Sequence, residues 1–319
     1  MKYNIRLDIC TICNLDCPTC TMRLLNYGKL KAGYTKFETY KKFIEDNDGL
    51  IKRIEISSAG EPFLNPDLVK ILKYSYEKGI VITVNNASNF NSLDDEKIKA
   101  LVDYQVKEVA FACDGVLQEN YEKYRRKGNV QKVFDSVKKL QEYKKLVGSE
   151  YPKLTWQYVI MESSEDDIEL AIEKAKELEV PIYFKLTWDK GYVPKNAEKI
   201  KELTGLNCLS REEYGENNDN EYKLESKCRQ LWSFPTINWN GDLLGCCFNR
   251  EPFKVNVFEL GLKEAFNNIE YIKSKLYLTN RLDNDQSSPC MNCEIGQRVR
   301  EKHYLDMNWI KKQESFKYE

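Results

Sequence analysis

Eleven cysteines and one histidine set the chemistry open to this chain of 319 residues. The cysteines fall in two groups. In the first, Cys13-Asn-Leu-Asp-Cys17-Pro-Thr-Cys20 places three thiols on a short segment, with Cys10 just before it. Thiolates are soft ligands, suited to iron–sulfur clusters or zinc. Pro18 keeps the segment out of a regular helix. Three such ligands hold three irons of a cube; a zinc knuckle that adds Cys10 is the other centre this spacing serves. In the second group, twelve residues separate Cys228 from Gly241, four separate Gly241 from Cys246, and Cys290-x-x-Cys293 follows Pro289. These four thiols fit a closed cluster or a structural zinc ribbon. Cys247 can stand in for Cys246, which alone keeps the four-residue spacing from Gly241. The remaining Cys10, Cys113, Cys208 and Cys247 read as small buried hydrophobes. Cys113 near a strand end, and Cys208 and Cys247 near a domain junction, are also candidate hydrogen-atom donors. The lone His303, in the charged stretch EKHY, reads as a surface side chain. With one His, neither a His-rich zinc site nor a 2-His-carboxylate iron site can form.

The elements that position these thiols alternate between strand and helix. Residues 3–9 alternate apolar and polar, as a strand feeding the first thiol loop does. Thr35 with Glu38 predicts a capping box before the helical face of Phe37, Tyr40, Phe43 and Ile44. Strands are predicted at 51–57, 80–84, 106–113, 154–161 and 181–186. Helices are predicted from Asn65-Pro66 to near Gly79, then near 92–104, 130–146 and 165–178. Six strands alternating with helices imply a parallel sheet with helices outside, as a partial barrel or a doubly wound sheet, and in either a site at the C-terminal ends of the strands. Residues 190–227 are polar and weakly periodic and read as a boundary segment. Asn240-Gly241 signals a hairpin beyond it.

Lys and Arg total 49 and Asp and Glu total 50, a net charge of −1. That balance argues against a basic nucleic-acid surface. No apolar run of membrane-spanning length and no signal-peptide core appears. The expected location is the cytoplasm, where cysteines stay reduced and ligate metal rather than pair.

The segment CNLDCPTC resembles the CxxxCxxC signature of the radical S-adenosylmethionine (SAM) superfamily. Ser57-Ser58-Ala59-Gly60-Glu61-Pro62 resembles that family's GGE segment, with Ala59 in place of the first Gly. The resemblance implies that Ser58, Gly60 and Glu61 meet the SAM amino group, and that Asn85 stands where the family has a TNG turn after the third strand. Asp114-Gly115, Tyr121 and Arg125 resemble its DG…YxxxR segment, with Ala112 where the family often has Ser. This implies Asp114 and Arg125 as SAM contacts, Arg125 on the carboxylate, a task suited to a planar guanidinium. The resemblance covers about residues 5–190. The second group resembles the SPASM/twitch domain in its short twitch form, having no cysteine beyond Cys293.

The fold so implied is α/β: a partial (β/α)6 TIM-like barrel over residues 1–205 and a small C-terminal iron–sulfur (twitch/SPASM-like) domain over 206–319. The implied cofactors are SAM and two [4Fe–4S] clusters, one on Cys13, Cys17 and Cys20 with an iron left open for SAM, the other on Cys228, Cys246, Cys290 and Cys293. The implied reaction starts from reductive cleavage of SAM to a 5′-deoxyadenosyl radical, which takes hydrogen from an unactivated C–H; the auxiliary cluster then accepts an electron. The pattern is similar to that of twitch-type aminocyclitol and sugar dehydrogenases, which turn a secondary alcohol into a ketone. A proton acceptor is also needed, for which Lys185, Asp189 and Arg211 are candidates. The expected partners are a small sugar-like or aminocyclitol substrate and a flavodoxin- or ferredoxin-type reductant, with no nucleic acid and no membrane. A redox-neutral epimerase, which needs a spare thiol, and a SPASM-type peptide-modifying enzyme are the alternatives. The thiol motif begins at Cys13, which leaves no room before it for a leader-peptide-binding domain and favours a small substrate. A non-catalytic zinc protein is the remaining class; colour separates it, iron–sulfur protein being brown.

Overall fold

The computed structural model describes residues 2–20, 32–217, 224–249 and 251–315. Six strands run parallel to their neighbours: β1 (Tyr3–Leu7), β2 (Ile51–Glu55), β3 (Val81–Ser88), β4 (Glu108–Ala112), β5 (Lys153–Ile160) and β6 (Ile182–Leu186). A seventh, β7 (Thr236–Ile237), pairs in parallel with β1, giving the order β6-β5-β4-β3-β2-β1-β7. The result is an α/β partial TIM-like barrel, closed by neither edge.

Strand alternation decides which side chains face the helices. On β5, Leu154, Trp156, Tyr158 and Ile160 are buried and the residues between them are half-buried. Trp156 meets Phe134 of the helix Val130–Val147 at 5.5 Å between ring centroids, which marks that side as the helix side. Phe184 of β6 joins it against Tyr158 at 5.5 Å. Gln157 and Val159 of β5, and Tyr183 and Lys185 of β6, therefore look the other way, into the concave side. The helix Val130–Val147 forms because Val130, Val133, Phe134, Val137 and Leu140 make one buried stripe, Asn129 caps it by accepting from Lys132 N, and Gly148 ends it at φ +68°.

Several predicted elements change in the folded chain. The expected capping box is absent: the helix Phe37–Asp46 starts at Lys36 with no side-chain cap. Thr35 instead donates to Trp239 O at 2.7 Å, and Asp67 Oδ2 accepts from Phe37 N at 3.0 Å, so distant partners replace the local ones. β3 does not stop near 84 but runs to Ser88, through a register shift and a left-handed Ala87 at φ +70°. The segment 190–227 is more regular than its composition suggests, with helices Ala197–Thr204 and Arg211–Asn217; residues 218–223 lie outside the described residues. The Asn240-Gly241 turn is present, with Ile237 bridged to Leu243, but its first arm contributes only the two residues of β7 to the main sheet.

The C-terminal part is joined to the barrel at several points. Besides β7 and Thr35, Asn47 accepts from Leu262 N at 2.8 Å and Tyr3 packs on Phe266 at 5.3 Å.

Candidate active site

The loop that follows β1 carries the first thiols, and a second loop fixes it. Gly60 sits at φ +70°, where a Cβ would lie 2.4 Å from Thr11 Cα and 2.5 Å from Cys10 O. Glu61 N donates to Ile12 O at 2.9 Å, and Ala59 N to Asp8 Oδ1 at 2.8 Å. Gly60 is thus required for two backbones to touch. Replacement by Ala forces the thiol loop away, and the bound iron is expected to fall by about half, to the complement of one cubane. Iron analysis of Gly60→Ala, with circular dichroism as the check on folding, reads this out; an unchanged iron content contradicts it.

Glu61 is 1% exposed. Its carboxylate accepts from Ser88 Oγ at 2.5 Å, Asn89 N at 2.7 Å and Phe63 N at 3.2 Å, and burial raises its pKa. It ties the end of β3 to the thiol loop's support. Asn89 Nδ2 then points to Cys13 Sγ at 3.8 Å and donates to Asn14 Oδ1 at 3.0 Å.

On the far side of the loop, Arg125 Nε donates to Asp114 Oδ2 at 2.6 Å and Nη1 reaches Cys17 Sγ at 3.9 Å. The Asp114 side chain is fully buried, and its Oδ1 accepts from Val159 N at 2.8 Å. Cys17, Arg125, Asp114 and β5 therefore form one connected line. Register continues it, since Val159 lies opposite Lys185 of β6. Lys185 donates to Gln157 Oε1. Burial, then the charges of Arg211 and Lys227, push Lys185 down to about 8, with Asp114 opposing. Arg211 donates from Nε to Leu186 O at 2.5 Å and stacks over Trp188 at 4.8 Å.

In the first group, burial raises the Cys13 thiol to about 12, with the charges of Glu61, Cys17 and Cys20 adding to it. In the second group, burial and then Cys247, with a further contribution from Cys293, raise Cys246 to about 11. Burial, Cys246 and Cys293 raise Cys290. The turn Leu224–Arg229, which carries Cys228, packs against the helix Glu294–Glu301 that follows Cys293. Gly296 lets that helix approach, since a Cβ there would lie 2.5 Å from Cys290 O.

Residues 7–154 match the family model of the radical SAM superfamily, and residues 228–294 that of SPASM, an iron–sulfur cluster-binding domain. The chain carries a radical SAM domain and a SPASM domain. The fold is similar to that of SuiB from Streptococcus suis bound to S-adenosylmethionine, with TM-score 0.61 and 14% identity over 93% of this chain and 72% of that one. It is also similar to anSMEcpe with bound AdoMet (TM-score 0.60, 14% identity, 93% of this chain and 88% of that one). BtrN in complex with AdoMet and 2-DOIA gives TM-score 0.51 at 14% identity, covering 92% of this chain and 93% of that one. A curated relative, the AdoMet-dependent heme synthase of Methanosarcina barkeri, is 29% identical over 113 residues, 35% of this chain and 31% of its own length. The chain thus matches about a third of that relative.

SAM and iron–sulfur clusters are the cofactors of such a radical SAM–SPASM pair, and the donor sets fit them. Among the described residues no three His, Cys, Asp or Glu side chains are yet grouped as a metal site. Metal binding and local folding are coupled. What the fold supplies is three thiols on one braced loop, with N–H donors from Asn89 and Arg125 aimed at two of the sulfurs.

The other predicted residues are dispersed. Asn85 does not follow β3; it lies within it, and its Nδ2 donates to Glu108 Oε2 at 2.6 Å. Asn89 takes the place after the strand, which runs beyond its apolar pattern to Ser88. Ser58 is half-buried on the bracing loop. Asp189 Oδ1 accepts from Gly191 N at 3.0 Å, capping the turn Lys190–Tyr192. Cys113 is fully buried and donates to Gly115 O at 3.2 Å, so it is enclosed away from any substrate. Cys208 is 2% exposed and meets Asn217 Nδ2 at 3.5 Å. Cys247 N donates to Gln230 Oε1 at 2.9 Å beside Cys246. His303 is exposed, its Nδ1 at 2.9 Å from Asn280 Nδ2. No described helix is long and apolar enough to cross a membrane. Gln157 and Lys227 were not singled out by sequence; strand register brings Gln157 to Lys185, and the charge of Lys227 acts on it.

Proposed function

We propose that the protein is a radical SAM oxidoreductase that oxidises a secondary alcohol of a sugar, aminocyclitol or similar polyol to a ketone. The observation that carries this reading is the connected line from Cys17 through Arg125, Asp114 and Val159 to Lys185, which runs from the thiol loop across the C-terminal strand ends. When bound, SAM and the clusters supply a 5′-deoxyadenosyl radical and an electron acceptor. Cys13, Cys17 and Cys20 hold the cluster that meets SAM. Gly60 and Glu61 shape the loop at the SAM amino group, and Arg125, oriented by Asp114, holds the SAM carboxylate. Cys228, Cys246, Cys290 and Cys293 hold the auxiliary cluster. Small-substrate specificity belongs to the concave side, lined there by Gln157, Tyr183 and Lys185.

Lys185 takes the hydroxyl proton. Of the three charged candidates it alone is set on the concave side with a pKa near working pH. Asp189 is used as a cap and Arg211 stays protonated. The groups that face Lys185 are Gln157, the Tyr183 ring, Arg211, Lys227 and Asp114. Below about 8 the ammonium cannot accept a proton; above it the amine can. Alcohol oxidation is therefore expected to rise with pH through about 8, and Lys185→Met to lose that limb while still cleaving SAM. A profile unchanged in Lys185→Met rejects Lys185 as the acceptor.

The test of the function is anaerobic incubation of polyols with SAM and reductant, read by mass. Loss of two hydrogens with formation of 5′-deoxyadenosine supports the proposal. Unchanged mass with inverted stereochemistry assigns an epimerase, and a modified peptide assigns the peptide-modifying alternative; either overturns it.

A further inference from the structure

Asp167 stands at the start of the helix Ile168–Glu177, in the loop that follows β5. An aspartate in that place ordinarily accepts from the first N–H groups of its own helix. Asp167 makes no such cap. It is 1% exposed, and both carboxylate oxygens turn to a different segment. Oδ2 accepts from Val116 N at 2.7 Å and from Leu117 N at 2.9 Å, and Oδ1 accepts from Asn120 Nδ2 at 2.8 Å. A buried carboxylate has to be satisfied by donors, and here all three side-chain bonds come from one short stretch.

That stretch leads to Arg125. Val116 and Leu117 precede the helix Gln118–Tyr124, and Arg125 ends it, its N donating to Tyr121 O at 2.8 Å. The helix has seven residues and buries one side chain, Tyr121. So short a helix does not hold its own place, and it needs grips from outside. Asn91 supplies one by donating to Tyr121 Oη at 3.0 Å, and Asp167 supplies the other at the helix start. Asp114, at the head of the same segment, is fixed by Val159 N of β5 and accepts from Arg125 Nε at 2.6 Å. β5 and the loop after it therefore hold the segment 114–125 at two points. One is Asp114 through Val159, and the other is residues 116–120 through Asp167. The guanidinium that reaches Cys17 Sγ at 3.9 Å is placed by both.

We propose that Asp167 is a positioning residue for SAM: it fixes the start of the helix Gln118–Tyr124 and so holds the Arg125 guanidinium where the SAM carboxylate is bound. It forgoes the cap of its own helix to do this. The proposal rests on the role proposed for Arg125, and its own content is the dependence of that role on Asp167, which lies outside the DG…YxxxR segment. It is independent of the polyol. Outer contacts of this kind set how well a binding group is oriented, and a small misplacement of such a group is costly.

SAM affinity separates positioning from mere support of the fold. Equilibrium binding of SAM to the anaerobic holoenzyme is compared in wild type, Asp167→Asn, Arg125→Lys and the double variant, with iron content and thermal unfolding measured on the same samples. Asp167→Asn keeps the size of the side chain but turns an amide donor toward the donors of residues 116–120. It is expected to weaken SAM binding at least about 10-fold with iron retained. In the Arg125→Lys background the same change is expected to weaken binding by less than about 3-fold, because two residues acting through one contact are not additive. Asp167→Asn/Asn120→Asp exchanges donor for acceptor across the bond and is expected to return SAM affinity to within about 3-fold of wild type. Asn120→Ala, which leaves Oδ2 on both N–H groups, is expected to weaken binding by about 3-fold and decides the matter if Asp167→Asn does not fold. Wild-type SAM affinity in Asp167→Asn, or in Asn120→Ala where that variant has to decide, overturns the proposal. An equal loss in both backgrounds overturns it, and so does loss of iron from Asp167→Asn, which would make Asp167 a support of the thiol loop. SAM binding by Arg125→Lys at the wild-type level rejects the Arg125 assignment and this proposal with it. Weakened binding in Arg125→Lys beside wild-type binding in Asp167→Asn rejects this proposal alone.

Discussion

Arg125→Ala is expected to lower SAM cleavage by about 100-fold and to destabilise the protein at the same time. The two effects have separate causes. Asp114 is fully buried and uses Arg125 as its charge partner, so removal of the guanidinium strands a carboxylate whose other bond goes to Val159 N. Breaking a buried pair from one side costs about 3–5 kcal/mol. The loss of cleavage follows from the role proposed for Arg125 on the SAM carboxylate, where a fork of N–H donors is replaced by a methyl group. Arg125→Lys separates the two. It keeps the charge beside Asp114, and so most of the stability, but loses the second prong. Its SAM affinity is expected to fall between wild type and Arg125→Ala, measured by equilibrium binding and 5′-deoxyadenosine yield. SAM binding by Arg125→Ala at the wild-type level would sink the assignment.

The second large effect concerns the other thiol set. A Cys246→Ala/Cys290→Ala variant is expected to lose about four irons, keep 5′-deoxyadenosine formation and lose the oxidised product altogether. Both side chains are buried, at 9% and 8% exposure; burial raises both thiols, and Cys246 and Cys293 add to the rise at Cys290. Alanine in their place removes ligands with little change of volume, so the helix Glu294–Glu301 should stay on the turn Leu224–Arg229, as circular dichroism would show. Uncoupling of this kind is what an electron acceptor predicts. Retention of full oxidised product would mean that the second set is structural, and the electron would need another destination.

The thiol motif was legible because its cysteines are contiguous, and contiguous spacing survives any tertiary arrangement. Asp114 and Arg125 were singled out one by one from their motif, but their pairing with each other across the short helix Gln118–Tyr124 was not. The six strands of the barrel were legible from apolar alternation, most ends falling within a few residues of the folded ones. What was hidden depends on register or on distant partners. β3 outruns its apolar pattern because Glu55 accepts from Asn85 N and carries the strand past residue 84 as a bulge, so Asn89 rather than Asn85 reaches the thiols. β7 is two residues long, too short for any periodicity to show. The capping box at Thr35 failed because Trp239, some two hundred positions away, claimed the hydroxyl. Lys185 was singled out by type, but its setting comes from pairing β5 with β6 and from a helix folded back onto the strand edge. No linear spacing encodes either.

The account's central claim is that two separate thiol sets hold two clusters, one open to SAM and one closed. Anaerobic iron and sulfide analysis of wild type beside Cys13→Ala/Cys17→Ala/Cys20→Ala tests it most directly. The account predicts about eight irons and eight sulfides per chain in wild type and about four of each in the variant, which no longer cleaves SAM. Four irons in wild type, all lost in the variant, would contradict it: the C-terminal thiols would then hold zinc or nothing, and a redox-neutral reaction would replace the oxidation.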